Sequence, residues 1–324
     1  MNRSVAILTV AIVIASSAAL ADTWEPSLTA DYFHGLAFGP YESTQGPGDP
    51  VSVAQIKERL GIVAPYTQWV RTYSTWNGFQ NIPEEAHKLG LHVAAGTWIA
   101  HNRQEEIDNL IEKAKAGWVG IAIIGNEELL FRGRETDASL AALLNDVRVA
   151  FDANGLQHIH LAISESFDSL FGRDGTVKCP LTVEAADAIL VNIHPFHEGV
   201  RVEQGSAVLA ERYATAVAAA PGKRMVIGET GWPTAGETKG EAIPSIENAA
   251  TYLAESVSWA KAKGVEIFTF EAFDEAWKGP EEFERHWGVW DADGSLKVPE
   301  PTSVGMLFFG SMALVSRRWR QRRR

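Results

Sequence analysis

Residues 224–236 read RMVIGETGWPTAG. A short apolar run, 225–228, leads straight into a carboxylate, Glu229, and a turn, a tryptophan and a proline follow at once. Near-continuous apolar runs of this length mark strands buried on both faces. Seven more occur in the chain: GLAFGPY (35–41), WVRTYST (69–75), HVAAGTWI (92–99), GIAIIGNE (120–127), HIHLAISES (158–166), AILVNIHPF (188–196) and EIFTFEAFD (266–274). Between most of them lie helix-like segments at 53–60, 104–115, 139–154, 207–219 and 246–263. Glycines that stop helices stand at Gly90, Gly117, Gly155 and Gly264. Ile107, Leu110, Ile111 and Ala114 recur at the spacing of a helix face packed on a sheet. Strand and helix alternating about eight times predicts an α/β fold, a (β/α)8 TIM barrel in a single domain. The alternative is an open doubly wound sheet, but no G-x-G-x-x-G or Walker-type glycine run follows the first strand.

Of the 324 residues 46% are apolar and 22% charged, a globular balance that leaves room for one large domain. Both termini read as processing signals outside that domain. Residues 1–21, MNRSVAILTVAIVIASSAALA, have a charged start, a short apolar run and an A-x-A site, the pattern of a secretory signal peptide. Residues 299–324 carry a Pro-Glu-Pro triplet, an apolar stretch at 304–315 and six Arg in the last eight positions. A basic tail alone would suggest nucleic-acid binding, but the apolar stretch ahead of it argues for a membrane-retained end. In its three ordered parts this tail resembles the PEP-CTERM sorting signal of Gram-negative bacteria. The resemblance implies export, transient inner-membrane contact and cleavage by an exosortase, with the periplasm, cell surface or extracellular matrix as destination.

Setting aside residues 1–21 and 299–324 removes seven Arg and one Glu from the 29 basic and 41 acidic residues, so the 22–298 core sits near −18. A core this acidic excludes phosphate-backbone binding as its main business and suits a neutral substrate. The lone cysteine, Cys179, has no internal disulfide partner.

In a TIM barrel the C-terminal strand ends carry the chemistry. Here three of them end in acids: Gly125-Asn126-Glu127, Gly228-Glu229-Thr230 and Phe270-Glu271, with Asp274 and Glu275 close behind. A single acid in such a place reads as a salt-bridged structural group. Two acids converging on one mouth can act as general acid and nucleophile, which is what cleavage of a glycosidic bond needs. Their surroundings must then push the two pKa values apart.

These stretches resemble glycoside hydrolase family 17, the β-1,3-glucanase family. The matching motifs are GNE (125–127), ETGWPT (229–234), FEAFDEAWK (270–278) and ERHWGVW (284–290), with GLAFGPY and VRTYS on the first two strands. The resemblance covers residues 35 to about 297. It implies a retaining hydrolase of β-1,3-glucan working by double displacement, with Glu127 as acid/base and Glu229 as nucleophile. Their carboxyls would lie about 5–5.5 Å apart. Asn126 would hydrogen-bond the sugar 2-OH. Glu275, Lys278 and Glu284 match a polar cluster whose expected work is to orient Glu229 and hold its charge; the alternative is a surface ion-pair set. Where plant members carry Tyr, this chain has His194, a group that either binds sugar hydroxyls, tunes Glu229 or is structural.

The expected substrate-binding set adds Tyr41, Tyr73, Trp232, Phe273 and Trp277 at strand ends, with Trp232 as a flat platform for a pyranose ring. Trp98 and Phe196 occupy similar positions, and packing competes with substrate contact for each of these rings. No metal site is expected: His194 and His197 lie three apart without an H-E-x-x-H, and His158 and His160 lack a third ligand. No cofactor is implied, and a monomer is expected. Short loops suggest an open cleft and endo action. A β-1,3-glucanosyltransferase would use the same residues, and a non-catalytic polysaccharide-binding surface protein is the reading outside enzymology. Activity should be bell-shaped in the mildly acidic range, from ionised Glu229 and protonated Glu127.

Overall fold

A computed structural model describes residues 32–129 and 133–299. Eight parallel strands close into a barrel in chain order: β1 Phe33–Ala37, β2 Thr67–Arg71, β3 His92–Thr97, β4 Ile121–Ile124, β5 His160–Ser166, β6 Ala188–Asn192, β7 Arg224–Thr230 and β8 Ile267–Thr269. Among the described residues eight α-helices lie around it: α1 Val53–Val63, α2 Ile82–Lys88, α3 Arg103–Lys115, α4 Asp137–Ala153, α5 Phe167–Leu170, α6 Pro180–Ala185, α7 Val202–Ala219 and α8 Ile246–Lys263. This is the (β/α)8 barrel expected from the apolar runs. The expected signal peptide and, beyond Pro299, the sorting tail lie outside the described residues. Among the described residues no helix is long and apolar enough to cross a membrane.

The barrel interior is a packed core of its own, made of Ala94, Ile121, Ile123, Ala162, Ala188, Leu190, Val226 and Phe268. Small residues offset the one large ring, as a closed barrel of this size requires. Gly35 on β1 belongs to the same fit, since a methyl group there would meet the Phe268 ring at 2.4 Å. A larger apolar layer separates strands from helices and takes in Ile107, Leu110 and Ala114 of α3, with Ile111 half-buried against it.

Local signals set the helix ends. Ser52 caps α1 and Ser245 caps α8 through side-chain oxygens, and Thr136 and Ser139 form a reciprocal capping box on α4. Gly264 closes α8 in the left-handed region at φ 65°. Between β5 and β6 the single long helix of the repeat is replaced by the two short pieces α5 and α6, and Pro180 opens the second. The last strand is shorter than the 266–274 run suggested. After Thr269 the chain leaves the ladder, Ala272 N–H donates to Ala37 O at 2.8 Å, and Phe273 bridges to Trp290.

Candidate active site

Glu229 is the sixth residue of β7, at a point where both neighbouring registers slip. Irregularities of this kind re-aim side chains next to active sites. Gly228 makes the approach possible, because a methyl group there would come within 2.6 Å of Asn192 Oδ1. Glu229 enters the barrel mouth almost wholly buried. Across the mouth, the segment after β4 turns through Gly125 at φ 78° and Glu127 at φ 54°. The second value is uncommon for a residue with a side chain. It brings Glu127, half-buried, to the same cavity as Glu229.

Arg71, the last residue of β2, links the two ends. Its Nη1 donates to Gly228 O at 2.8 Å and to Glu229 Oε1 at 2.6 Å. Its Nη2 donates to Asn126 Oδ1 at 2.6 Å and Ser164 Oγ at 2.8 Å. One buried guanidinium therefore fixes the nucleophile candidate, the strand that carries it and the residue before the acid candidate. Its fork is suited to this many directed bonds. Asn192 of β6 adds a second tie, donating from Nδ2 to Glu127 Oε1 at 3.0 Å. His194 Nε2 lies 3.5 Å from Glu229 Oε2. Burial alone favours a neutral Glu229, but Arg71 and His194 outweigh it and hold the carboxyl down at about 2.

The cavity has a volume of about 720 Å³. Of the expected substrate-binding residues, it brings together Asn126, Tyr41, Tyr73 and Trp277, with Trp98 beside them. The Arg71 guanidinium lies 4.7 Å above the centroid of the Tyr73 ring, and the Tyr73 hydroxyl is buried without a hydrogen-bond partner among the described residues. Tyr41 and Trp277 meet edge to face at 6.3 Å. Trp76, Phe79 and Phe270 complete the aromatic lining.

Trp232 and Phe273 are corrections. Trp232 is buried, its Nε1 donates to Ile243 O at 2.9 Å, and its ring packs on Phe196 and Tyr252. The register shift that turns Glu229 inward, and the end of β7 at Thr230, leave Trp232 facing the helix layer. Phe273 is buried against Phe38 and Trp290, with the Arg59 guanidinium 4.4 Å above its ring. The early end of β8 carries it away from the mouth.

The polar cluster also differs from expectation. Lys278 Nζ lies 2.6 Å from both oxygens of Glu271 and 3.0 Å from Glu275 Oε2. Burial works against its charge, but Glu271 and Glu275 outweigh it and hold the ammonium above its ordinary range. It also sits 4.3 Å above the Phe270 ring. Glu284 lines the same cavity, accepts from Trp287 Nε1 at 3.2 Å and has His197 Nε2 3.9 Å from its Oε1. The charge of Glu229 is therefore held by Arg71 and His194, while Glu275 and Lys278 build a polar wall with Glu271. Sequence reasoning gave no role to Arg71, Asn192 or Glu271. The signal for Arg71 was present in WVRTYST: a cation at the end of an apolar strand is as unusual as an acid there. His197 is pushed down to about 3 by burial, with His194 and Lys239 adding to the effect, so it stands neutral beside His194.

The family model for the BtgE/BtgC glycoside hydrolase domain matches residues 35–288. A glucan 1,3-beta-glucosidase of Candida albicans is 30% identical over 268 residues, spanning 76% of this chain and 85% of that protein. The glycoside hydrolase family 17 β-1,3-glucanosyltransferase from Rhizomucor miehei superposes with a TM-score of 0.69 at 26% identity, over 84% of this chain and 99% of that one. An active-site mutant of the Rhizomucor enzyme in complex with laminaritriose superposes with a TM-score of 0.70 at 26% identity, over the same shares of the two chains. With two buried-strand carboxylates meeting at one barrel mouth and this match along most of its length, the chain belongs to the BtgE/BtgC glycoside hydrolases of the family 17 type and is a glycosidase.

Proposed function

We propose that this glycosidase cleaves β-1,3-linked glucan with retention of anomeric configuration. The observation that carries this reading is that two acids line one cavity: Glu229 is locked to Arg71 as a carboxylate, and Glu127 reaches the same cavity from the segment after β4. In the first step Glu229 bonds to the anomeric carbon, the C1–O bond breaks, and Glu127 gives its proton to the departing oxygen. In the second, Glu127 takes a proton from water as the water oxygen displaces Glu229 from C1. Asn126, whose Oδ1 accepts from Arg71, is the amide assigned to a sugar hydroxyl in this reading. Substrate choice is supported by the 1,3-glucan activity named for the Candida relative and the laminaritriose held by the Rhizomucor mutant.

Endo action belongs to the same reading. Glucanosyl transfer is the second reading, favoured by the Rhizomucor neighbour. In transfer, a sugar hydroxyl takes the place of water in the second step.

Purified protein incubated with laminarin and laminari-oligosaccharides should release products in the β configuration, seen by NMR before mutarotation. Products longer than the starting oligosaccharide would assign transfer. Glu229→Gln should lower kcat by at least ~10³-fold, and Glu127→Ala by ~10²–10⁴-fold. Full activity in Glu229→Gln, or α products, would sink the assignment.

A further inference from the structure

We propose that Ser164 and Glu165, at the end of β5, act as a positioning clamp that aims Glu127 for proton transfer; this rests on Glu127 being the acid/base. Three successive backbone N–H groups after β4 end on these two residues. Glu127 N–H donates to Ser164 O at 2.8 Å, Glu128 N–H to Glu165 Oε1 at 2.7 Å, and Leu129 N–H to the same oxygen at 3.2 Å. Glu165 is buried and makes no contact with the cavity, so its link to the reaction runs through this backbone.

The clamp has work to do. Glu127 holds φ 54°, a conformation that costs roughly 1–2 kcal/mol for a residue with a side chain. Left alone, the segment would relax toward negative φ and swing the carboxyl away. Ser164 ties the clamp to the opposite acid as well, since its Oγ accepts from Arg71 Nη2, which belongs to the guanidinium that holds Glu229. One end of β5 thus sets both carboxyls relative to each other. Burial lifts Glu165 to about 8, against the two backbone N–H bonds, which favour its charged form, and with the nearby Glu127 and Glu128 carboxyls adding to the rise.

The test compares two substrates. Laminari-oligosaccharides have a poor leaving group and need the proton from Glu127. A 2,4-dinitrophenyl β-laminaribioside has a leaving group that departs without it. Glu165→Ala should lower kcat on the oligosaccharide by about 10- to 100-fold, the cost of a misplaced catalytic group. KM on the oligosaccharide should stay within about twofold. For the dinitrophenyl substrate, kcat/KM reports bond cleavage alone, before Glu127 activates water, and should lose little; losses on the two substrates are compared as kcat/KM. Glu165→Gln keeps an acceptor for both N–H groups and should retain most activity. If Glu165→Ala does not fold, Glu165→Asp, one methylene shorter, carries the same comparison. Equal losses on both substrates, or an unchanged oligosaccharide rate, would overturn the clamp. Glu127→Ala run alongside separates the two ideas: if it too shows no leaving-group dependence, the acid/base assignment has failed and not the clamp.

Discussion

Arg71 carries more of the site than any other single residue. It is 1% exposed, and four bonds from one guanidinium converge on β7, Asn126 and Ser164. A buried charge pair that loses one partner leaves the other uncompensated, which costs about 3–5 kcal/mol. Arg71→Met should therefore lower stability by an amount in that range. It should also release Glu229 from its low pKa. Glu229 works as the carboxylate, so the acid limb of the kcat/KM profile should move to higher pH by roughly one to three units. In the intact enzyme that limb belongs near 2 as far as Glu229 is concerned, lower than the mildly acidic bell expected from the residues alone. A pH–rate profile of Arg71→Met that superimposes on that of the unaltered protein would contradict this role.

At the level of elements, β7 and the segment after β8 show how much a strand end decides. The irregular register of β7 turns Glu229 inward and leaves Trp232 facing the helix layer. Trp277 follows the early exit from β8 and stands 43% exposed at the cavity. The two tryptophans should therefore respond in opposite ways. Trp232→Ala should cost about 3–5 kcal/mol in chemical denaturation and leave KM of the folded enzyme alone. Trp277→Ala should leave stability within about 0.5 kcal/mol. Its KM for laminari-oligosaccharides should rise roughly two- to tenfold, the worth of about 0.5–1.5 kcal/mol for one aromatic contact. The reverse pattern would restore Trp232 as the sugar platform.

For the whole molecule, buried titratable groups set the pH range over which the barrel stays folded. Burial lowers His34 at the bottom of the barrel from 6.5, with Arg224 and His92 acting in the same sense and Glu266 opposing. His197, at the top, falls to about 3. Each binds fewer protons folded than unfolded, so stability should drop as pH falls below about 6.5. Glu229 adds to this below 4.5, since its stabilising charge is lost as pH descends toward 2. Glu165 acts on the other side. Its folded value of about 8 lies above the 4.5 of a free carboxyl, so its contribution is whole below 4.5 and is lost as pH rises through 8. Urea midpoints from pH 3 to 9.5 should trace a dome, and His34→Gln should flatten its acid flank. A midpoint independent of pH would mean these groups do not feel the burial described here.

The apolar runs and the glycine stops were enough to determine the barrel and to set three strand-end acids at its mouth, because these depend on periodicity and on residues next to each other in the chain; singling out Glu127 and Glu229 among them took the motifs shared with family 17. Tertiary structure alone decided which other side chains reach the site. Arg71 of β2 meets Glu229 of β7 across 158 positions, and Asn192 meets Glu127 across 65. No local pattern encodes such meetings, because they follow from barrel closure. The fate of Trp232 and Phe273 was hidden for a related reason: which face a residue shows beyond a strand end depends on the bulge in β7 and the point where β8 leaves the ladder. Both are settled by packing against neighbouring strands rather than by the residues themselves.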